Sequence, residues 1–440
     1  MRYSEMMVNR MTEIIKYDEM KSTREQWLGE IPASWGTLRL KRIFTIKKDI
    51  AGEEGHTVLS VTQKGIRPKV MSEKGQFALD YSKYQLVNRG EFVMNHMDLL
   101  TGWVDISDYD GVTSPDYRVF VNSDPSKYDS SYYRYIFQLC YSARIFYGLG
   151  QGVAGFGRWR LPADMFLNFV LPVPSIGEQR SIAAYLDDQV SQIDSIIEDE
   201  KASIEEYKQW KASAIFEAVT KGIKLNVPYK KSHDFRIGEI PAHWRMIKVK
   251  QVARLNPSVE TTGITPEMEV TFAPMECIRT DKRIERIAPM SDNNSSYSSF
   301  NEGDIALAKV TPCFQNRNVC IMSDLKNGFA FGSSELFNIR PFNINARYLL
   351  YFFMTEAFKD GGVANMTGVA GLQRVSSAYV RNAILPLPPE EEQIRIVSFL
   401  DKQCENIDEL IAEKSTLVEN LEMCKRSLIY ESVTGKRKVV

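Results

Sequence analysis

The sequence predicts an α+β protein with an internal repeat, in which two similar globular domains are combined with two long helices that pair as a coiled coil. Three observations predict this fold class. Short blocks recur in the same order in both halves of the chain, the segments between the blocks differ, and a run of apolar residues at helical spacing closes each half. At 440 residues the chain is also too long for one ordinary domain.

The internal repeat opens with GEIPASW at residues 29–35, which returns as GEIPAHW at 238–244. The later blocks are LPxP at 171–174 and 385–388, EQ at 178–179 and 392–393, LD at 186–187 and 400–401, ID at 193–194 and 407–408, and a VT terminator at 217–222 and 431–436. Residues 36–150 and 245–367, in contrast, hardly resemble each other. We interpret the chain as a duplicated scaffold that carries two diverged domains. A duplicated structural domain without a special function is the alternative.

The diverged interiors mix short β-rich runs with helical ones, such as residues 132–145 and 346–358, and turn signals are frequent between them. Each interior is therefore predicted to be one α+β domain that contains a sheet.

A long helix is predicted after each LPxP block, because apolar residues recur there at steps of three, four or seven and no proline interrupts the run. The residues predicted to pair the helices are Leu186, Val190, Ile193, Ile197 and Ile204 in the first and Leu400, Ile407, Ile411, Val418 and Leu421 in the second. A helical hairpin that packs on its own domain is the alternative.

The net charge of −1 is unevenly distributed along the chain. Residues 178–222 and 390–436 carry −5 each, so the remainder carries +9, which suits contact with a polyanion but is also common in soluble domains. The six cysteines lack CxxC spacing, which favours free thiols over a zinc site or disulfides. No apolar run is long enough for a membrane span and the first residues do not form a secretory signal, so we expect a cytoplasmic protein.

A glycine-rich loop with cationic and amide side chains stands near the end of each interior. Glycine allows the backbone to approach phosphate, and arginine and glutamine can bond base edges in the major groove. The candidate DNA-binding residues are Gln151, Arg158, Trp159 and Arg160 in the first loop, Gln373 and Arg374 in the second, the cluster Lys309, Gln315, Asn316 and Arg317, and the basic run Lys64, Arg67 and Lys69. Flexible connectors with solubilising cations are the alternative.

The repeated blocks resemble the specificity subunits of type I restriction-modification systems, and the resemblance covers about residues 25–436. It implies two target-recognition domains separated by two long helices that form an antiparallel coiled coil, with a pseudo-twofold internal repeat. The implied divisions are an N-terminal arm (1–28), a first recognition domain (29–170), a central helical region (171–222), a linker (223–237), a second recognition domain (238–384) and a distal helical region (385–440).

The resemblance also implies partners. Each recognition domain would read one half of a bipartite double-stranded DNA site, while the helices would set the spacing and dock two methyltransferase subunits. Motor-nuclease subunits would join in the full complex. The helix-pairing residues and the EQ, LD and ID blocks would then be scaffold and docking positions.

Catalysis by this chain itself is not expected. There is no phosphate-binding loop of the GxxxxGK[ST] form, no Asn/Asp-Pro-Pro-aromatic motif, and no clustering of the four histidines. We expect no bound cofactor or metal, whereas S-adenosylmethionine, ATP and Mg²⁺ are implied for partner subunits. A two-headed protein-binding adaptor and a specificity subunit of a modification-only system are the alternative functions.

Overall fold

A computed structural model describes residues 15–69, 81–152, 159–280, 282–293, 296–369 and 371–439. The chain divides into two compact units, which are Met1–Lys201 with Ser415–Val440, and Ala202–Lys414. Each unit combines mixed strands and helices with part of both long helices, which confirms the α+β class. The units therefore do not coincide with the two halves of the sequence repeat.

The first unit is built on an antiparallel sheet of order β4-β11-β8-β9, with two-stranded pairs β1–β2, β3–β12, β5–β6 and β7–β10 around it. Its described elements are β1 (Met20–Ser22), β2 (Glu30–Pro32), β3 (Gly36–Arg39), β4 (Phe44–Lys47), β5 (Leu59–Thr62), β6 (Gly65–Pro68), β7 (Gln85–Val87), β8 (Phe92–Met94), β9 (Val104–Ile106), β10 (Gly111–Thr113), β11 (Arg118–Asn122), α1 (Ser130–Ser142), α2 (Ala163–Asn168), β12 (Val170–Val173) and the start of α3 (Ile176–Lys221).

Aromatic rings hold α1 against this sheet. Phe44, Phe92 and Phe120 come from three neighbouring strands, and the Phe92 and Phe120 rings stack with centroids 4.9 Å apart. Phe137 of α1 meets the Phe44, Phe92 and Phe120 rings edge-on at 5.3–5.5 Å. Because these rings are buried, they contribute a large apolar area to the core between the sheet and α1.

The second unit contains two four-stranded sheets, β16-β25-β22-β23 and β20-β17-β24-β21, of which only the β17–β24 pair is parallel. Its described elements are β13 (Tyr229–Lys231), β14 (Glu239–Pro241), β15 (Arg245–Lys248), β16 (Ala253–Leu255), β17 (Glu269–Ala273), β18 (Ile278–Arg279), β19 (Lys282–Arg283), β20 (Ile287–Pro289), β21 (Ser298–Asn301), β22 (Ile305–Ala308), β23 (Val319–Ile321), β24 (Phe329–Gly332), β25 (Leu336–Pro341), α4 (Ala346–Phe353), α5 (Glu356–Ala364), β26 (Met366–Val369), β27 (Leu372–Val375), α6 (Ser377–Asn382), β28 (Ile384–Leu387) and the start of α7 (Glu390–Val433).

The two long helices run antiparallel within each unit. In the first unit the Lys425 ammonium of α7 binds the Asp194 carboxylate of α3 at 2.6 Å, and Lys201 binds Glu422 at 3.1 Å. In the second unit Lys211 of α3 binds Asp408 of α7 at 2.7 Å. Of the predicted pairing residues, Leu186, Ile193, Ile197, Leu400, Ile407, Val418 and Leu421 are buried, and Val190, Ile204 and Ile411 are half-buried.

Each unit joins blocks from both halves of the sequence. The GEIP block of the first half meets the terminator of the second, where the Lys436 ammonium donates to the Leu28 carbonyl at 2.6 Å and the Tyr132 hydroxyl donates to the Val433 carbonyl at 2.8 Å. The GEIP block of the second half meets the terminator of the first, where Gly222 packs on the Trp244 ring and the Tyr348 hydroxyl of α4 donates to the Val219 carbonyl at 3.0 Å. In each unit, the GEIP block, the LPxP strand and the start of the long helix of one half meet the terminator of the other half. We call each of these two places a domain–helix joint.

The EQ pair forms the centre of the first joint. The Trp35 indole N–H donates to Glu178 at 3.1 Å. The Gln179 amide oxygen accepts from the backbone N–H of Asp129, the N-cap of α1, at 2.7 Å, and its NH₂ group donates to the Pro174 carbonyl at 3.0 Å. Gln179 is fully buried, so these bonds satisfy polar groups that water cannot reach.

The second joint repeats these contacts with equivalent residues. Trp244 donates to Glu392 at 2.8 Å, and the buried Gln393 accepts from the backbone N–H of Asn345 at 2.9 Å and donates to the Pro388 carbonyl at 2.9 Å. Asn345 is the N-cap of α4, as Asp129 is of α1. The repeated EQ block therefore bonds the backbone at the start of one domain helix in each unit.

The LD pair adds a second bond between helix and domain. Asp187 accepts from the Tyr135 hydroxyl at 2.7 Å and from Arg134 at 2.6 Å. Asp401 accepts from the Tyr351 hydroxyl at 2.6 Å and from Arg347 at 2.8 Å. Burial, with the bond to Asp401, raises the pKa of Tyr351, so this hydroxyl stays a donor at any physiological pH.

We expect Gly435→Ala to lower the free energy of unfolding by about 2–4 kcal/mol. The added methyl group would overlap a neighbouring side chain, and the left-handed backbone at this position is itself unfavourable for alanine. Gly435 has φ +72°, and a Cβ there would lie 2.3 Å from Cδ of Pro32. The matched control is Gly29→Ala, with φ +61° and no atom within 4 Å, for which we expect about 1–2 kcal/mol. Urea unfolding of the full chain measures both, and equal losses would contradict the tight packing at the terminator.

Glu392 makes the second joint sensitive to acid. Burial raises the pKa of Glu392, but hydrogen bonds from Lys224, Trp244 and His243 outweigh it and lower the pKa to about 2. Since the folded pKa lies below the ordinary 4.5, the ionised carboxylate stabilises the fold above about pH 4.5, and this contribution is lost as the pH falls towards 2.

We therefore expect Glu392→Gln to destabilise the chain by about 1–2 kcal/mol near pH 7, with the difference from the unsubstituted chain shrinking below pH 4.5. Thermal unfolding at a series of pH values measures it. The control is Glu391→Gln, since that side chain is 89% exposed and bonded only at 3.8 Å. A difference that grows at low pH would show that the carboxylate is not held ionised.

Candidate nucleic-acid interface

The basic run of the first unit lies on the β5–β6 hairpin. Thr62 shapes the turn, because its hydroxyl donates to the Gly65 carbonyl at 3.0 Å and accepts from the Lys64 N–H at 3.1 Å. Lys64 and Arg67 are exposed and Lys69 is half-buried. On the opposite face Leu59 and Ile66 are buried in a cluster with Val87, Val93 and Val119. The alternation of β6 therefore directs Arg67 outwards, and Lys64 is exposed because it lies in the turn.

The glycine-rich loop of the first unit is closed at its base. Gln151 and Arg160 form an antiparallel bridge with N–O distances of 2.8 and 3.0 Å, and both side chains are exposed. The Trp159 indole N–H donates to the Tyr147 carbonyl at 2.8 Å, and the two rings lie 5.6 Å apart. Trp159 thus fixes the loop to its own unit. Arg158 lies outside the described residues.

Two side chains that the sequence did not single out, the buried Arg118 and the half-buried His96, lie beside the C-terminal end of this loop. The Arg118 guanidinium donates to the Leu161 carbonyl at 3.0 Å and covers the Phe166 ring at 4.7 Å. Burial, with the charges of Arg118 and Arg160, lowers the pKa of His96 to about 4. The imidazole is therefore neutral at pH 7, and the charge beside the loop comes from the arginines.

In the second unit three candidate residues meet on one surface. The β26–β27 hairpin is bonded to the chain after β22, because the Gln373 N–H donates to the Thr311 hydroxyl at 3.0 Å and the Thr311 N–H donates to the Gln373 carbonyl at 2.9 Å. Lys309 lies beside this contact with its ammonium 5.4 Å from the Phe337 ring centre. The structure thus brings together Lys309, Gln373 and Arg374.

Arg374 is held by a carboxylate that sequence reasoning missed. Its Nε donates to Glu335 at 2.9 Å and its Nη2 donates at 2.7 Å, in a bidentate pair. The bond from Arg374 lowers the pKa of Glu335, and the nearby Lys309 adds to the effect. Glu335 stands far from Arg374 in the sequence and lies in no motif, so no sequence signal pointed to it.

Arg317 takes part in a different contact. It forms an ion pair with Glu356, and burial lowers its pKa. Gln315 and Asn316, its neighbours, are exposed, and the Asn316 carbonyl accepts from the Thr280 hydroxyl at 3.0 Å. The structure therefore pairs Arg317 with the start of α5, whereas Arg374 pairs with Glu335.

The described residues form neither a membrane-spanning helix nor a metal-binding cluster. No described helix combines the length and the apolar character needed to cross a bilayer. In the same ranges, no group of three or more His, Cys, Asp or Glu side chains is arranged to hold a metal ion.

Comparison with known proteins gives matches in sequence and in fold. The family model described as type I restriction modification DNA specificity domain matches residues 32–206 and 295–420. The specificity subunit of the type I restriction enzyme EcoEI of Escherichia coli is 35% identical over 193 residues, which are 43% of this chain and 32% of that protein. The EcoAI specificity subunit of Escherichia coli is 40% identical over 164 residues, 36% of this chain and 28% of that protein. The matched regions thus span about a third of the length of these relatives.

A solved structure described as the structural basis underlying complex assembly and conformational transition of the type I R-M system is similar in fold. It has a TM-score of 0.68 at 14% identity and covers 92% of this chain and 98% of that one. The resemblance predicted from the repeated blocks is confirmed, and the chain belongs to the family of type I restriction modification DNA specificity domains.

Proposed function

We propose that this chain is the DNA-specificity subunit of a type I restriction-modification enzyme and that each recognition domain reads one half of a bipartite double-stranded site. The observation that carries the proposal is the repetition of one joint under two unlike domains. The bond of Trp35 to Glu178 recurs as that of Trp244 to Glu392, and the bonds of Gln179 recur at Gln393, while the sheets that the joints support differ.

An identical attachment under a variable domain fits a reader of DNA sequence. The bonds of the joint involve the repeated blocks and the first turn of one domain helix, so they leave the remaining surface of each domain free to diverge. A protein-binding adaptor would not need the basic surfaces that both units carry outside the acidic helices.

The contacts with DNA are proposed for the exposed cations and amides on the two domains. Lys64 and Arg67 extend from a hairpin and suit phosphate contacts, which supply affinity. Arg374 is held through Nε and Nη2, so its Nη1 can donate to a base edge, and Gln373 lies beside it. Gln151 and Arg160 lie at the base of the first loop with both side chains exposed.

The long helices serve as a spacer and a dock in this proposal. Their segments carry −5 each and repel DNA, whereas their exposed acidic faces can contact two methyltransferase subunits. Motor-nuclease subunits would join that complex. The chemistry, with S-adenosylmethionine, ATP and Mg²⁺, belongs to those partners, and this chain supplies recognition.

The first test maps methylated bases in a methylation-free host that expresses a cognate methyltransferase subunit with and without this chain. We expect a split motif, two short half-sites with a fixed gap, only when the chain is present. Replacing residues 36–170 by those of another family member should change one half-site, and replacing 245–384 should change the other. Methylation that is unchanged when the chain is absent would refute the proposal.

The second test separates phosphate contacts from scaffold charges. We expect Arg67→Ala, with the chain in complex with its methyltransferase subunits, to weaken DNA binding several-fold and to reduce the slope of log affinity against log salt by about 0.9. Arg426→Ala removes an exposed arginine from α7 and should change neither quantity. Fluorescence anisotropy across a salt series measures both variants. An Arg67 variant with an unchanged slope would exclude the hairpin from the interface.

A further inference from the structure

A recess lies beside the joint of the second unit. Its volume is about 160 Å³, and its apolar walls come from Ile223, Val227, Pro241, Trp244 and Ile396. A cavity of about 150 Å³ is large enough to hold a benzene ring. The recess can therefore accept one aromatic side chain.

The recess contains a single carboxylate among several cations. Glu392 accepts from Lys224 at 2.9 Å, from Trp244 at 2.8 Å and from His243 at 3.1 Å. Lys221 and Arg395 also line the recess. Their partners on the helices, Glu217 and Glu391, lie 3.6 and 3.8 Å away, and such long exposed pairs contribute little. The rim therefore carries three cations, of which Lys221 and Arg395 are paired over long distances and can exchange their partners.

The first unit shows what the equivalent place binds. The pairing of Met20 with Pro32 corresponds to that of Tyr229 with Pro241, so Tyr17 and Asn226 are equivalent positions, each three residues before its strand. The Tyr17 ring meets the Trp35 ring edge-on at 5.8 Å, and its hydroxyl donates to Glu178 at 3.4 Å.

The N-terminal arm thus supplies the aromatic side chain of Tyr17 to the first joint, and we call residues 17–19 the plug. The Lys438 N–H donates to the Ile15 carbonyl at 2.7 Å, and the Lys438 ammonium lies 6.0 Å from the Tyr17 ring centre. Asp18 and Glu19 follow the tyrosine and are exposed. The plug is an aromatic side chain followed by two acidic ones.

The second unit has no aromatic side chain at that position. Asn226 is exposed with φ +60°, and Lys224 makes the bond to Glu392 that Tyr17 makes to Glu178. The apolar walls and the rim cations Lys221 and Arg395 remain. They complement an aromatic side chain followed by acidic residues, the same chemistry as the plug of the first unit.

We propose that the recess beside Trp244 is a docking site for a partner polypeptide that presents a tyrosine followed by acidic residues. The tyrosine ring packs on Trp244 and Ile396, and the acidic residues meet Lys221 and Arg395. This site is separate from the surfaces assigned to DNA, so it adds a protein contact to the proposed function.

The probe is a labelled synthetic peptide of residues 15–23, IKYDEMKST, titrated with the full chain and followed by anisotropy. We expect saturable binding that is lost when the tyrosine of the peptide is replaced by alanine. In the chain, Asn226→Tyr places a tyrosine at the position equivalent to Tyr17, and we expect it to fill the recess and weaken peptide binding at least tenfold.

The matched control is Leu225→Tyr, which adds a tyrosine at a neighbouring side chain that is 90% exposed, and it should bind the peptide like the unsubstituted chain. Equal binding by the Asn226 variant, or no binding at millimolar peptide, overturns the proposal. Self-association of the chain that disappears on deletion of residues 1–19 also overturns it, since the occupant would then be a second copy. The assay contains no DNA, so its failure leaves the recognition role untouched.

Discussion

Burial of a glutamine amide beneath each domain is the constraint on which the rest of the structure depends. Gln179 and Gln393 are 0% and 4% exposed, and each bonds the N-cap backbone of a domain helix and the carbonyl of an LPxP strand. A buried amide that loses a partner costs about 1–3 kcal/mol. The geometry of strand, helix start and domain helix must therefore be the same in both units, and this requirement explains why the blocks match while the interiors do not.

Each half of the sequence supplies the terminator that covers the GEIP block of the other half. The first GEIP block packs on Gly435 and the second packs on Gly222, so neither half contains all the parts of its own joint. A single half would leave Trp35 or Trp244 without the helix end that covers it. The two halves of the sequence therefore depend on each other for folding, although each unit has its own core.

The scaffold could be predicted from sequence because its signals are local and occur twice. The proline-free heptads after LPxP gave both long helices, and the buried Ile193 and Ile407 follow from that spacing. The sheets were harder to predict from the sequence. Strands of three or four residues, such as β21 and β23, show little alternation, and the parallel β17–β24 pair joins segments far apart in sequence.

The candidate interface was only partly predictable for a related reason. Composition identified Trp159 and Arg374, but their partners come from other parts of the chain. Trp159 is bonded to Tyr147, and Arg374 is bonded to Glu335. Composition reveals which side chains can bond a base, whereas only the fold reveals which of them are already engaged.

The Arg374–Glu335 pair bears on how a reader can be selective. A carboxylate beside DNA repels phosphate, so Glu335 reduces the general attraction that Arg374 would otherwise provide. In return the bidentate bond fixes the guanidinium plane before DNA arrives, which lowers the entropy lost when Nη1 donates to a base. An arginine held in this way gains less from a phosphate and more from a correctly placed acceptor. On the proposed function, this arrangement favours discrimination between sequences over affinity for DNA in general.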